Sequence, residues 1–421
     1  MLQRLGFPDV GPHRRFVSAL AIDALGSGIW MPLAILYFLA QTSLNLVEVG
    51  TAMTISGLLV VPMVPLIGSF VDRVGPKRVM QTGNALQAVS FALYPFAHSL
   101  TAVTGVLLVS TVGRSAFWGA LGPMVTQITR RGERELWFGF LQAMRNAGFG
   151  VGGVLASVAL TIGSSTAYDA VVDANAASYV AAFVLMIGVA GGGAVPDRPR
   201  EVGAWGVVLR DRGYRWIVLV TFGYALTEMT LNISMPVYFV KTIGLPGWVP
   251  GAVFVINTVM IGVGQGLVVR SMTGAIRSRV LLTAVGFTAT SFVAMYAAGA
   301  LSVALAVAVV LVAAVVYTLG EMVAGPVVGA LAAEAPPDDL RGRYMSVNQL
   351  AWSVSGGIAP LLLSWLLDQG ALPLWSGSLA LCALWALAIG VLARRLPLAG
   401  QPVANQAEVA MAADSTTDLP D

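Results

Sequence analysis

Five ionisable side chains lie inside long apolar stretches of the sequence, and they are the first candidates for chemistry. They comprise three carboxylic acids and two arginines: Asp23, Glu228, Glu321, Arg114 and Arg145. Burying such a group in an apolar helix costs at least about 2.5 to 3.5 kcal/mol, so each one calls for a partner or a function. A carboxyl group in a low-dielectric interior can bind a proton on one side and release it on the other. The three acids are therefore candidates for proton transfer.

The composition indicates which solvent surrounds these groups. Of the 421 residues, 57% are hydrophobic and only 11% are charged, whereas soluble domains have about 25% charged residues. The charges are too sparse to cover the surfaces of soluble domains, which excludes a soluble enzyme or a nucleic-acid-binding protein. The net charge of +3 is small and decides little. The sequence is that of a protein embedded in a lipid bilayer.

Long apolar runs divide the chain into helices. A transmembrane helix needs about 20 apolar residues to cross about 30 Å of hydrocarbon. Cutting the sequence at charged or Gly/Pro-rich breaks leaves twelve such runs, of which the first is 16–40, the sixth 174–195 and the last 373–394. The first run is too long for a signal-peptide core and contains Asp23, so we expect it to be retained. The predicted fold class is an all-α membrane protein with 12 transmembrane helices.

Basic residues indicate the orientation of these helices. If the N-terminus is cytoplasmic, 21 of the 24 Lys and Arg residues fall on the inner side of the membrane. A counting error of one helix would destroy this segregation. We therefore expect both termini in the cytoplasm and the protein in the plasma membrane, the inner membrane of a bacterium.

An internal repeat predicts two similar halves. A shift of 207 residues, without gaps, superimposes Gly113 on Gly320, Arg134 on Arg341, Gln142 on Gln349 and Gly150 on Gly357. The predicted organisation is an N-terminal six-helix bundle over residues 1–195 and a C-terminal six-helix bundle over 216–394. A charged cytoplasmic linker over 196–215 joins them, and the polar tail over 395–421 is predicted to be disordered.

One loop resembles a known family signature. Between the second and third predicted helices the sequence has a Gly, three residues, Asp-Arg, one residue, Gly and a basic pair, formed by Gly68, Asp72, Arg73, Gly75, Lys77 and Arg78. This pattern resembles the signature loop of the major facilitator superfamily of secondary transporters. A degenerate copy follows 198 residues later, with Gly266, Arg270, Gly274, Arg277 and Arg279. The resemblance extends over all twelve predicted helices.

This resemblance implies two pseudo-symmetric six-helix bundles, alternating access and a monomer. It also implies that the loop is a gate latch, in which Asp72 accepts backbone N–H groups from the N-terminus of a facing helix. The alternative is that the loop charges only set the membrane topology.

The fifth predicted helix resembles a motif of the family's antiporters, many of which export drugs. The similarity rests on Gly139, Gly148, Gly152 and Gly153, whereas Phe149 stands where that motif has proline. Arg145 directly precedes the glycine run, and we interpret it as structural rather than as a coupling residue. Close helix packing explains the glycines at least as well as coupling does.

The family's cavity is lined by helices 1, 4, 7 and 10, so the resemblance places Asp23, Arg114, Glu228 and Glu321 on the substrate path. Arg114 resembles the helix 4 arginine implicated in proton transfer. An ion pair between Arg114 and Glu321 is possible in one conformation, or it is permanent and merely satisfies two buried charges. Asp23 either serves proton coupling and the recognition of cations or braces helix 1 against Arg145.

Several further side chains are candidate cavity residues. They could line an apolar pocket for a lipophilic ligand, although most aromatic residues in helices only pack or anchor at interfaces: Trp30, Tyr37, Trp118, Tyr224, Asn232 and Tyr238.

The sequence has few of the groups that catalysis or metal binding needs. It has one cysteine, Cys382, and two histidines, so neither a metal site nor a nucleophile–base pair is expected and the protein is not predicted to be an enzyme. No phosphate-binding Gly-Lys-Ser/Thr run is present. We therefore expect no cofactor, a proton gradient as energy source, and a small molecule, protons and membrane lipid as partners, with no nucleic acid.

The predicted function is proton-coupled efflux of lipophilic or amphipathic molecules, including drugs. The alternatives within the family are a symporter or uniporter for a metabolite, or a lipid transporter. A membrane enzyme or receptor on the same scaffold is the rival from another class.

Overall fold

The computed structural model describes residues 8–44, 46–130, 132–162, 164–193, 204–246 and 248–403. These residues form helices, turns and one isolated β-bridge, with no strand among them. The helices are α1 (Arg14–Trp30), α2 (Ala34–Gln41), α3 (Leu46–Val60), α4 (Val64–Val74), α5 (Pro76–Leu93), α6 (Leu100–Ile128), α7 (Arg134–Ile162), α8 (Ser165–Ile187), α9 (Ala204–Arg210), α10 (Arg212–Val237), α11 (Val249–Ser271), α12 (Arg277–Ala298), α13 (Val303–Glu334), α14 (Arg341–Asp368) and α15 (Ala371–Arg395). The predicted all-helical class is thus confirmed for the described residues.

Short irregular turns interrupt the longest helical segments. A 3₁₀ turn over Met31–Leu33 joins α1 to α2, another over Val61–Met63 joins α3 to α4, and a π turn over Tyr238–Thr242 extends α10. Both 3₁₀ turns begin with a proline at one of their first two positions, and proline cannot donate the backbone hydrogen bond of a regular helix. When the joined pairs are counted once, the described residues contain twelve long helical segments and the short α9.

Eight helices in the described residues are long and apolar enough to cross a membrane. They span residues 48–74, 100–128, 165–187, 212–242, 249–271, 277–298, 303–334 and 371–395. The number of twelve membrane crossings therefore stays a prediction.

The sixth helix shows where the sequence prediction is wrong. It spans Ser165–Ile187 rather than 174–195. Its first turns contain Asp169 and Asp173, which the prediction excluded because they are charged. Ser164 caps this helix by accepting a hydrogen bond from the Ala167 backbone N–H, and the Asp169 carboxylate accepts one from Gln41 of α2 at 2.7 Å. These partners offset the cost of the carboxylate and let the helix begin earlier.

Two predicted irregular segments are partly ordered. Within the predicted linker over 196–215, α9 forms and α10 begins at Arg212, capped by Asp211, while residues 194–203 lie outside the described residues. The tail predicted to be disordered from residue 395 is ordered as far as Val403. Its backbone pairs with the α11–α12 loop through Val403 N to Ala275 O at 2.9 Å and Arg277 N to Gln401 O at 3.1 Å. Residues 404–421 lie outside the described part of the chain.

The buried apolar residues form separate clusters in the two parts of the chain. The largest cluster contains residues between 208 and 403 only, while a second combines residues from 16 to 189 with Ile261 and Met322. The N-terminal part (residues 8–193) and the C-terminal part (204–403) pack together mainly through α4 on α14, α7 on α11 and α13, and α6 on α14. The exact domain limits stay a prediction.

One end of the molecule collects most of the basic residues. Side-chain contacts bring these helix ends together: Lys77 Nζ donates to the Ile187 carbonyl at 2.9 Å, and Arg15 Nη1 donates to the Gly188 carbonyl at 3.2 Å. We call this end the basic end; it contains the helix termini at Arg14, Val74, Pro76, Ile128, Arg134, Ile187, Arg277, Glu334 and Arg341. All described ion pairs that join the two parts lie here.

Candidate functional site

Glu321 lies near the middle of α13 and faces polar groups from two other helices. Asn257 Nδ2 of α11 donates a hydrogen bond to Glu321 Oε2 at 2.7 Å, and Gln142 Nε2 of α7 donates one to Glu321 Oε1 at 3.3 Å. Asn257 lies in the C-terminal part and Gln142 in the N-terminal part. The Glu321 carboxylate therefore bridges the two parts of the chain through neutral amides.

A glycine one turn away makes room for this arrangement. A methyl group built on Gly325 would collide with the Gln142 side chain and would lie 3.1 Å from the Tyr224 hydroxyl. Any larger residue at this position of α13 would displace the Gln142 amide. The absence of a side chain at Gly325 thus allows Gln142 to reach Glu321.

Glu228 of α10 is the second acid of this centre. It hydrogen-bonds with the Tyr224 hydroxyl and repels Glu321, so the two carboxyl groups are close enough to influence each other's charge. Tyr317, one helical turn before Glu321, donates its hydroxyl proton to the Thr227 carbonyl at 3.0 Å and ties α13 to α10. Two acids, a tyrosine and two amides thus surround one point between α7, α10, α11 and α13.

Arg145 of α7 is the basic group nearest to these acids. Its guanidinium stacks over the Trp118 ring at 5.1 Å and lies 5.9 Å from the Phe149 ring centroid. It interacts electrostatically with Glu228 and Glu321 and also with Asp23, which is buried in α1. Asp23 and Arg145 are thus neighbours, but the described residues show no ion pair within 4 Å between them.

Arg114 lies apart from Glu321 in this conformation. Its side chain is exposed, its electrostatic neighbours are Tyr94 and Tyr179, and no ion pair joins it to Glu321 among the described residues. The ion pair between the fourth and tenth long helices that the sequence suggested is therefore not formed here.

The aromatic candidates separate into buried and half-buried side chains. Tyr37 and Tyr238 are 1% and 0% exposed and pack against other rings, and Tyr224 is 5% exposed and also hydrogen-bonds to Glu228. In this conformation these three rings are covered by packing and do not line an open cavity. Trp30 is half-buried within an aromatic cluster, with its ring 5.0 Å from that of Phe91, and half-buried Trp118 supports Arg145. The side chain of Asn232 lies outside the described residues.

The glycines of the fifth long helix pack against the first. A methyl group on Gly148 would lie 2.7 Å from the Ala24 Cβ, and one on Gly152 would lie 2.6 Å from the Gly28 backbone carbon. Gly153 has no other atom within 4 Å of such a methyl group. Gly148 and Gly152 therefore hold α7 close to α1, and Gly153 does not take part in this contact.

Asp72, at the end of α4, contacts the N-terminus of α14. Its Oδ1 accepts the Gly342 backbone N–H at 2.5 Å and its Oδ2 accepts that of Arg343 at 3.2 Å, while Arg343 Nε lies 3.7 Å from Oδ2. The free N–H groups and the dipole of a helix N-terminus favour a carboxylate at this place. Gly68 brings the helices together, because a methyl group there would lie 2.7 Å from the Gly342 carbonyl oxygen. We call this contact the carboxylate latch; its gating role stays a prediction.

The remaining residues of the signature loop have other positions. Gly75 has a φ of 87°, which favours glycine, and it separates α4 from α5. Lys77 Nζ donates to the carbonyls of Ile187 and Val189 at 2.9 and 2.6 Å and thereby caps α8. Arg73 and Arg78 are exposed.

A buried charge network joins the two parts on the other side of the basic end. Arg277 at the start of α12 pairs with Glu135 of α7 and with Glu334 of α13, the latter at 2.9 Å. Arg134 lies 3.4 Å from Glu334. We call Arg134, Glu135, Arg277 and Glu334 the buried charge network, since each side chain is at most 7% exposed.

A comparison with known families matches most of the chain. The family model of the Major Facilitator Superfamily covers residues 16–360. The chain belongs to the Major Facilitator Superfamily. It is thus an MFS transporter and an integral membrane protein, and nothing points to catalytic activity.

Relatives and solved structures agree with this family. Proteins named multidrug resistance protein MdtH from Klebsiella pneumoniae and Aeromonas salmonicida are 24% and 25% identical to this MFS transporter. The first alignment covers 82% of this chain and 84% of the relative, and the second covers 54% and 59%. A bacterial homologue of the iron transporter ferroportin in an outward-facing state has a TM-score of 0.72 at 15% identity, covering 91% of this chain and 99% of that one. FucP in the outward conformation has a TM-score of 0.71 at 16% identity, covering 92% and 99%. These structures show the MFS fold.

Several site residues of this MFS transporter were not singled out by sequence reasoning. Gln142 appeared only in the repeat alignment, and Asn257, Glu135 and Glu334 did not appear at all. A search for amides within apolar helices would have found Asn257 and Gln142. Glu135 and Glu334 lie at helix ends, where charged residues are common, so their types alone carry no signal.

Proposed function

We propose that this MFS transporter is a proton-coupled exporter of lipophilic or amphipathic small molecules that works by alternating access. The observation that carries the proposal is the Glu321 carboxylate, which is hydrogen-bonded to Gln142 of the N-terminal part and to Asn257 of the C-terminal part. Because one of these bonds crosses between the parts, protonation of Glu321 changes the attraction between them. Glu228 and Asp23 are the further proton-binding candidates.

The energy source in this proposal is the proton gradient. Each proton that moves through 100 mV contributes about 2.3 kcal/mol, which suffices for modest uphill export. We propose that the basic end faces the cytoplasm, in line with the positive-inside rule, and that the chain crosses the inner membrane twelve times as a monomer. The conformation described then has its cytoplasmic side closed.

The cargo class rests on two supports. The relatives named multidrug resistance protein are 24% and 25% identical, which favours drug-like molecules without defining them. The acids Asp23, Glu228 and Glu321 outnumber the basic groups Arg145 and Arg114, which favours neutral or cationic cargo over anionic cargo.

A proton symporter is the second candidate. Phe149 stands where the antiporter motif has proline, and α7 continues unbroken through this position from Arg134 to Ile162. A proline ring, the usual cause of a kink at this position, is therefore absent from α7. Protonation of Glu321 could drive transport in either direction.

Proton flux in proteoliposomes tests the proposal. The purified protein is reconstituted with a lumenal pH dye, and lipophilic cations, neutral antibiotics and metabolites are added one at a time under an imposed pH gradient. We expect at least one lipophilic compound to start proton movement opposite in direction to its own flux. This movement should disappear in Glu321→Gln and persist in Asp368→Asn, whose carboxyl group is exposed at the end of α14.

Three results would contradict the proposal. Movement of protons and compound in the same direction would favour symport, and unchanged proton movement in Glu321→Gln would remove this carboxylate from the mechanism. No movement with any compound, with correctly folded and oriented protein, would indicate a uniporter, another coupling ion or a lipid cargo.

A further inference from the structure

Arg145 lies between acids that belong to different parts of the chain. Asp23 of α1 is in the same N-terminal part as Arg145, whereas Glu228 and Glu321 are in the C-terminal part. No ion pair within 4 Å holds Arg145 to any acid in the described residues, and its buried Nε has no hydrogen-bond partner there. One cation is thus shared by competing carboxylates without being fixed to one of them.

Two aromatic rings provide the resting place for this cation. Trp118 and Phe149 lie 5.1 and 5.9 Å from the guanidinium carbon, and both belong to the N-terminal part. A planar guanidinium stacks on such rings and can turn its N–H groups from one acceptor to another. The rings therefore hold the charge between the acids and leave its hydrogen bonds free to change.

The other ionisable groups on the surrounding helices do not replace Arg145. Facing groups are Asp23 on α1, Tyr179 on α8, Tyr224 and Glu228 on α10, and Glu321 on α13, while Arg114 on α6 is exposed and has Tyr94 and Tyr179 as its neighbours. Among these groups Arg145 is the basic side chain that interacts with acids on both parts; Arg277 also contacts acids of both parts, but it does so at the basic end.

We propose that Arg145 is the positioning residue that couples proton binding to the movement of the two parts. It takes the role that the resemblance implied for Arg114 of α6. When Glu228 and Glu321 are charged, they attract Arg145 across the interface and hold the two parts together near the middle of their helices. A proton on this pair weakens that attraction, so Arg145 turns to Asp23 within its own part and the interface is released. The proposal rests on the proposed proton-coupled function.

The interface can be followed without knowing the cargo. Spin labels on Thr101→Cys and Leu301→Cys, both exposed and at the end opposite to the basic end, report the distance between the parts in a Cys382→Ala background. The labelled protein is reconstituted in lipid nanodiscs, and the distance distribution is measured from pH 5 to 9. The labelled protein without further substitutions is expected to give two distance populations whose ratio changes with pH.

Arg145→Gln and Asp23→Asn should shift this transition in opposite directions. Loss of Arg145 lets the Glu228–Glu321 pair take up its proton more readily, so the midpoint rises by about one pH unit or more. Without Asp23, Arg145 interacts only with the Glu228–Glu321 pair and stabilises its charged form, so the midpoint of the pH transition falls. Arg145→Lys keeps the charge and should stay near the wild-type midpoint, and Arg394→Gln, an exposed arginine at the end of α15, serves as the control.

The double variant Asp23→Asn/Arg145→Gln separates this role from a structural one. If Asp23 acts through Arg145, the double variant should have nearly the same midpoint as Arg145→Gln alone. An equal Asp23 shift with and without Arg145 would overturn the proposal, as would an unchanged midpoint in Arg145→Gln or no pH response at all. Proton-coupled flux with an unshifted Arg145→Gln midpoint would leave the proposed function intact and reject only this inference.

Discussion

The carboxylate latch and the buried charge network close the same end of the molecule by different chemistry. In the repeat, residues 134 and 135 correspond to 341 and 342 at the shift of 207. In the latch, Asp72 of α4 accepts the backbone N–H of Gly342. Glu135, which corresponds to Gly342 in the repeat, pairs instead with the Arg277 side chain. Thus the first contact depends on a helix terminus and the second on particular side chains.

This difference predicts how each contact responds to change. A helix N-terminus offers its N–H groups whatever residues stand there, and Arg343 keeps 17% of its side chain exposed. In the network, Glu135 is 0% exposed and Arg277 3% exposed, so removal of one partner leaves a buried charge without compensation. We expect the network to dominate stability and the latch to set how readily this end opens.

The largest effect is expected from Glu334→Gln. Glu334 contacts both Arg134 and Arg277, and its neutralisation leaves two arginines with Glu135 as the only acid of the network. Breaking a buried ion pair costs about 3 to 5 kcal/mol, so the thermal unfolding temperature in detergent should fall clearly. The charge-balanced double variant Arg134→Gln/Glu334→Gln is expected to recover part of the loss. Equal loss in both variants would contradict the electrostatic explanation.

A smaller effect is expected from Gly68→Ala, which pushes α4 away from α14 without changing charge. Overpacking costs about 1 to 3 kcal/mol. Gly57→Ala is the matched control, because a methyl group on Gly57 of α3 meets no atom within 4 Å. The readout is maleimide labelling of Val71→Cys, buried in the latch, in a Cys382→Ala background. The labelling rate should rise in Gly68→Ala but not in Gly57→Ala. We expect a roughly tenfold rise for each 1.4 kcal/mol by which Gly68→Ala destabilises the closed latch. Similar rates in both variants would show that the latch is not closely packed.

The latch was easier to predict from the sequence than the network. Asp72 and Gly68 lie with Arg78 in one short local pattern, and helix N-termini attract carboxylates by general physics. The Arg277–Glu135 pair joins residues 142 positions apart, and nothing in either helix end indicates the other. Local chemistry was therefore predictable, whereas long-range pairing of common residue types was not.

The centre of the molecule shows the same limit. Glu321, Glu228 and Asp23 were evident because charges in apolar helices are costly. Their surroundings were not: Glu321 is bonded to the amides of Gln142 and Asn257, which cost less to bury and are less conspicuous. The predicted partner Arg114 does not pair with Glu321 here, and the basic group that interacts electrostatically with Glu321 is Arg145. Sequence repeats relate positions on helices but do not define how helices rotate against each other.

Asp72→Asn should open the latch to a similar or smaller degree than Gly68→Ala. The amide retains one acceptor oxygen, but it loses the charge that favours the helix N-terminus and turns its NH₂ group towards a donor. Such interactions contribute up to about 2 kcal/mol. We expect Val71→Cys labelling to accelerate, and high salt to reduce the difference between Asp72→Asn and the wild-type latch only weakly, because the Asp72 side chain is 7% exposed. Unchanged labelling would leave the loop charges with a topological role only.

The smallest effect is expected from Lys77→Gln, which belongs to the same signature loop but not to the latch. Lys77 caps α8 within the N-terminal part through the carbonyls of Ile187 and Val189, so its loss should cost about 0.3 to 1 kcal/mol of stability. Labelling of Val71→Cys should stay at the wild-type rate, while hydrogen exchange at the end of α8 increases. If Lys77→Gln instead accelerated labelling as Asp72→Asn does, the loop would act as one gating unit, and the distinction between its latch and its cap would be wrong.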